Sequence, residues 1–225
     1  MAGQRGLLLA VAALLAPALA GCLDPYRAHV DEAVLSRATL SWSRADHPQA
    51  DGGLFGVKTL STDYTHSASS PPPFPAVLVV FSLRAVSRPS TEELLRYTHL
   101  AVDNETQARG IRIDQSQSSS GHRTLASGVQ TEFFTEEGTS TTGGLFPQNT
   151  KVRIIGEVGY DGRSGTSIVV VGIAQVEASR TCPLNLNCGV THDEGSWVEM
   201  VGDGGGSVGG AILQTGLIDH LVTHG

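Results

Sequence analysis

The sequence predicts an α+β fold: a predominantly antiparallel β sheet or partly open barrel carrying one main helix at about residues 90–109. Three observations lead there. Apolar runs of strand length recur along the chain, separated by clusters of Gly, Pro, Ser and Thr. One segment, beginning at Ser90, carries helical start, period and stop signals together. The chain holds 27 glycines with only 5% aromatic and 16% charged residues, which describes a loop-rich protein that still has apolar sequence enough for a core.

The elements follow in order. Residues 22–36 read as a short tether or an early capping segment, since Pro25 argues against a long helix. Ala38 to Ser43 alternates apolar and polar residues as a half-buried strand does, and residues 44–56 read as a polar, Gly-rich connection. Val57 to Tyr64 is a further strand candidate. The Pro71-Pro72-Pro73-Phe74-Pro75 run is excluded from a sheet interior. Ala76 to Val86 is the most apolar strand, and its continuity implies burial on both faces.

Ser90 and Glu93 form a capping-box pattern, and Leu94, Thr98, Ala101 and Ala108, with Leu95 and Val102, mark one helical face before the stop at Gly110. Ile111 and Ile113 flank a short strand, after which Ser116 to Gly121 reads as a polar loop. Val129 to Thr135 alternates, and Thr139 to Gly144 reads as a flexible connection. Val152 to Val158 and Ser167 to Val176 are joined by Asp161-Gly162-Arg163-Ser164-Gly165, which is turn chemistry, so they form a hairpin. Gly156 and Gly172 interrupt these strands, as bulges or strongly coiled strands do. The hairpin at 151–177 resembles part of an OB-type barrel, a pattern that covers about 30 residues and implies only a fold.

The N-terminus carries the most specific signal. Arg5 precedes an apolar run from Leu7 to Leu15, and Leu19-Ala20-Gly21-Cys22 follows. This resembles the signal peptide and lipobox of prokaryotic lipoproteins, with the apolar run too short for a spanning helix of about 20 residues. The resemblance implies removal of residues 1–21, a diacylglycerol and further acyl (palmitate-like) chain on Cys22, and a protein anchored on the extracytoplasmic side of the cell membrane or outer membrane. Cysteine arithmetic agrees. Three cysteines leave an odd thiol in an oxidising compartment, and acylating Cys22 leaves Cys182 and Cys188 as a disulfide pair around a small loop. The remaining chain divides into a β-rich α+β domain at 37–180 and a Cys/Gly-rich C-terminal segment at 181–225, packed on the same domain.

Several constellations invite chemistry. Cys182, Cys188 and His192, with His220 and His224 at i and i+4, offer ligands that suit zinc, but the spacing matches no compact zinc motif and exported thiols oxidise. With the thiols oxidised, His192, His220 and His224 remain as metal candidates. Asp193, Glu194, Glu199 and Asp203 are acidic enough for calcium but lack the alternating spacing of a calcium loop. No cofactor is therefore expected. Gly204 to Gly209 fits G-x-G-x-x-G, and the same glycines place Ser207 in G-x-S-x-G. Neither has its context: residues 210–225 supply no βαβ unit, and Asp219, His220 and His224 lie too close together for a nucleophile elbow. Asn104-Glu105-Thr106 is a glycosylation sequon inside the predicted helix.

The net charge of −7 and the lack of any Lys/Arg cluster exclude a nucleic-acid partner and direct adhesion to anionic headgroups. The lipid then supplies the membrane attachment. What remains is a lipid-anchored binding module of the cell envelope, displaying loops to a small ligand or an envelope protein. The alternatives are a structural envelope lipoprotein and a metal-dependent envelope hydrolase built on the C-terminal His, Cys and Asp residues. No catalytic residue is assigned.

Overall fold

The computed structural model describes residues 25–50, 57–68, 72–85, 88–181, 187–202 and 216–225. The chain folds as an α+β structure dominated by antiparallel strands, as its sequence predicts. The strands are β1 (His29–Val30), β2 (Ser43–Ala50), β3 (Lys58–His66), β4 (Ala76–Arg84), β5 (Ile111–Thr124), β6 (Gln130–Ser140), β7 (Lys151–Asp161), β8 (Thr166–Thr181), β9 (Asn187–His192) and β10 (Leu221–Val222). The helices are α1 (Glu32–Leu35), α2 (Thr91–Ala108) and α3 (Gly195–Val201), with a 3-10 turn at Leu217–His220.

The large sheet runs β2-β3-β4-β8-β7-β6-β5, and it does not close on itself. Beyond Ala76, β9 takes over pairing with β8, matching Glu177 to His192. A small ribbon, β1 with β10, ties the two ends of the described chain together. Since β4 and β5 are parallel and separated by three strands, α2 crosses one face of the sheet between them.

Both faces are covered, which explains the near-continuous apolar runs. On β4, Val77 and Val79 pack toward α2 with Leu94, Ala101 and Val102, while Leu78 and Val80 pack toward Met200, Ile218, Ala28 and Val30. Burying one such side chain contributes about 1.5–3 kcal/mol. Helix α2 starts as its sequence requires: the Ser90 hydroxyl accepts from Glu93 N at 3.2 Å, and the Glu93 carboxylate accepts from Ser90 N at 2.8 Å. Its buried positions are Leu94, Thr98, Ala101, Val102 and Thr106, whereas Ala108 is exposed. Thr106 tolerates burial because its hydroxyl donates to Val102 O.

Three sequence expectations change. The strand expected at Ala38–Ser43 begins only at Ser43 and runs through the supposed polar connection. It is an edge strand, where polar residues and Pro48 are tolerated. Residues 39–42 are held instead by α3: the Glu199 carboxylate accepts from Leu40 N, Thr39 N and Trp42 Nε1. Second, the Ser116–Gly121 loop lies within the bounds of β5, an edge strand, although its first residues fall where pairing with β6 is interrupted, between Asp114 and Ser119. Likewise the Thr139–Gly144 connection starts with β6 still paired, to Ser140. Third, Gly156 and Gly172 mark no bulge. They lie in unbroken register beside Ile155, and each admits a helix. A Cβ on Gly156 would meet the Phe134 ring at 2.5 Å and Thr98 at 2.9 Å; one on Gly172 would meet Ile155 and Met200. Gly156→Ala is therefore expected to lift α2 off the sheet and cost about 1–3 kcal/mol. Chemical denaturation checks this, and an unchanged midpoint would refute the packing role.

The described part of the N-terminal segment, from Pro25 onward, packs on the sheet: Ala28 and Val30 are fully buried. Residues 195–202 and 216–225 supply much of the core on the same face.

Candidate functional site

A groove of about 840 Å³ lies where the N-terminus of α2 overhangs the sheet. Its floor is the end of β5, β6 and β7 that faces the helix, with His122 paired across to Glu132 and Thr124 to Gln130. Val158, opposite Glu132, and Tyr160 continue the floor. Arg88, Pro89, Ser90, Thr91 and Leu94 form the wall. Alternation produces this arrangement. Phe134 and Ile154 fill the space under the body of α2. Two and four residues before Phe134, the same face carries Glu132 and Gln130, beyond the reach of the helix. The Arg88 guanidinium lies 4.9 Å over the Tyr160 ring. Among the described residues, the side chains of His122, Thr124, Gln130 and Glu132 have no hydrogen-bond or ion-pair partner.

Directly behind the groove, on the opposite face, lies a buried charged cluster. Glu157 is 1% exposed. Its Oε1 accepts from the Thr131 hydroxyl at 2.5 Å, and its Oε2 sits 3.1 Å from Arg123 Nη2 without a well-directed hydrogen bond. Arg123 also donates to Val201 O at 2.9 Å and to Asp219 Oδ1 at 3.3 Å, while its Nε is buried without a partner. Burial pushes the Glu157 carboxyl up to about 7, against the opposing pull of Arg123 and Thr131. This cluster joins the sheet to the C-terminal end of α3 and to the 3-10 turn. Thr131 and Glu132 are adjacent, so one strand feeds the cluster with one residue and the groove with the next.

A second polar cluster closes the β7–β8 turn. Asp161 Oδ2 accepts from the Thr223 hydroxyl and from His224 Nδ1, both at 2.7 Å, and Oδ1 accepts from Arg163 N. Burial raises the Asp161 carboxyl, but these hydrogen bonds outweigh it and hold the group below its ordinary range. An Asp–His pair suggests a catalytic dyad, but His224 Nε2, where a nucleophile would stand, faces Arg163 Nη1 at 3.0 Å. The pair latches the C-terminal segment to the sheet.

The sequence-derived candidates scatter. His192 sits 3.7 Å from Glu177, while His224 meets Asp161 at the other end of β8. Thr166 and Glu177 are eleven positions apart along the strand, on the order of 35 Å. His220 lies in the 3-10 turn. Among the described residues no three His, Cys, Asp or Glu side chains gather as a metal site. Asp193 accepts from Gly195 N, Glu194 pairs with Arg153, and Glu199 holds residues 39–42, so the acidic group is divided among structural tasks. Asp219 is engaged by Gly216 N and Arg123. Residues Trp197 to Val201, just before the glycine motif, are helical. Cys22, Cys182, Asp203, Ser207 and the motif Gly204–Gly209 lie outside the described residues, and Cys188 is placed on β9 by its backbone.

Neither a protein-family model, nor a curated protein, nor a solved structure matches this chain. Its site is therefore read from its own residues. Among the described residues, no helix is long and apolar enough to cross a membrane. Sequence reasoning missed Arg88, His122, Gln130, Glu132 and Tyr160. The usable signal was His122, Thr124, Gln130 and Glu132 at period 2, polar on the side of the strands that elsewhere carries Phe134 and Val158.

Proposed function

We propose that this protein is a lipid-anchored extracytoplasmic binding module whose ligand enters the groove between the N-terminus of α2 and the β5–β7 end of the sheet. One observation carries the reading: a cavity of about 840 Å³, within the usual range for ligand sites, has a floor of polar side chains that no other described residue satisfies. These side chains are open to the groove rather than buried, and a row of them on a rigid sheet is suited to hydrogen-bonding a ligand. The lipobox at Leu19–Cys22 supports the anchor, and the odd cysteine count supports pairing of Cys182 with Cys188.

The groove favours binding over hydrolysis, because no nucleophile–base pair stands in it.

Two measurements test the reading. Cys22→Ser should move the protein from the membrane fraction to the soluble extracytoplasmic fraction, and retention on membranes would refute the anchor. Crosslinking through a photoreactive residue at position 124 should capture a ligand or envelope component from cells. A clean result there, with no thermal shift from an envelope extract, would refute the binding role.

A further inference from the structure

We infer that the groove takes the hydroxyl-rich headgroup of an amphiphile in the same membrane to which the protein is tethered. The inference rests on reading Cys22 as lipidated and on the groove as the binding site.

The chemistry of the lining selects the ligand class. His122, Thr124, Gln130, Glu132 and Tyr160 mix donors and acceptors along one floor. A phosphate needs donors alone and would meet the Glu132 carboxylate. At the start of α2 the Ser90 and Glu93 amides are already taken by the capping box, and the carboxylates of Glu92 and Glu93 stand in the same first turn. An acyl chain needs apolar walls, and Pro89, Leu94 and Val158 are the apolar side chains here. A quaternary ammonium needs an open aromatic face, and Arg88 covers that of Tyr160. A hydroxyl donates and accepts at once, so a row of carboxylate, amide, imidazole, hydroxyl and phenol groups matches neighbouring hydroxyls on a sugar or polyol.

Position selects the source. Tyr26 N donates to the Thr166 hydroxyl at 3.0 Å, and Thr166 pairs with Asp161 at the β7–β8 turn. Tyr160, on the groove floor, is the next residue in that ladder, paired with Ser167. The groove and the N-terminal segment therefore share one end of the sheet, on opposite faces. Pro25 is already buried, and the three residues from Cys22 to it span at most about 10 Å. A lipid on Cys22 holds this end of the molecule against the bilayer, where headgroups of the same leaflet are the most concentrated polar ligands.

The test uses the acylated full chain in vesicles of phosphatidylcholine and phosphatidylethanolamine, with and without a digalactosyl diacylglycerol, and reads amide hydrogen exchange. Exchange should slow at residues 122–132 and 158–160 only when the glycolipid is present. His122→Ala and Glu132→Ala, whose side chains have no partner among the described residues, should each require about tenfold more glycolipid for the same protection, as loss of one or two hydrogen bonds dictates. Protection by soluble digalactose but not by the glycolipid would overturn the membrane source. Equal protection on the phospholipid vesicles, or none in any arm, would overturn the hydroxyl-rich ligand. Those failures leave the binding role to the crosslinking result, and an unacylated Cys22 in the purified protein would defeat the anchor reading separately.

Discussion

Arg123→Ala is expected to cost about 3–5 kcal/mol at pH 8, the largest effect of any substitution outside the apolar core. The side chain is the only cation beside the buried Glu157 among the described residues, at 3.1 Å. Removing it strands an ionised carboxylate that has left water, with the Thr131 hydroxyl as its remaining partner. It also leaves Val201 O and Asp219 Oδ1 without a donor, at the two points where α3 and the 3-10 turn meet the sheet. The cost should shrink at pH 5, because a protonated Glu157 no longer needs a counter-charge. Arg123→Lys tests the division of labour: it keeps the charge but loses the fork that reaches Glu157, Asp219 and Val201 together. Equilibrium denaturation at the two pH values decides the matter. A loss under about 1 kcal/mol at both would mean that the cluster contributes no net stability.

The sequence made the centre of the fold legible and its edges obscure, for one physical reason. β4, β7 and β8 are covered on both faces, so their residues are forced apolar and the run is visible without any partner being known. Helix α2 announces itself because its free amides must be capped, and Ser90 and Glu93 are the chemical answer. Edge strands β2 and β5 carry no such obligation, and their polar sequences read as loops. Gly156 and Gly172 show the limit differently: a missing Cβ is visible in sequence, but whether it admits a bulge or a neighbouring ring is settled only by what packs there.

The site was less legible still. Sequence attention went to Cys, His and Gly motifs near the C-terminus, because those residue types carry familiar chemistry at short spacing. The groove draws its residues from β5, β6, β7 and the approach to α2, which only the sheet register brings together. Glu157 is the sharpest case. Its strand, Val152-Arg153-Ile154-Ile155-Gly156-Glu157-Val158, places it on the same face as Ile155, and so inside the protein. A carboxylate at an interior strand position requires a buried cation, and Arg123 was the residue to seek.

Glu157 should also give the protein a measurable acid-side gain in stability. Its carboxyl is raised from the ordinary 4.5 to about 7, first by burial, with Arg123 and Thr131 opposing and Asp219 adding to the rise. A folded state that holds the proton more tightly than the unfolded chain is favoured where the proton is bound. The contribution is therefore fully present below the unfolded value and is lost as pH rises through about 7. Each tenfold change in proton affinity is worth about 1.4 kcal/mol, so the window from 4.5 to about 7 carries up to about 3 kcal/mol. Asp46 and Asp161 act oppositely, since their carboxyls are lowered and lose their stabilising charge only as pH falls further. Comparing the protein with Glu157→Gln isolates the one group, because the amide keeps the shape, still accepts from Thr131 and does not titrate. Across urea titrations from pH 5 to pH 8, the native protein should lose stability relative to Glu157→Gln as pH rises. Parallel curves would show that Arg123 holds Glu157 ionised throughout.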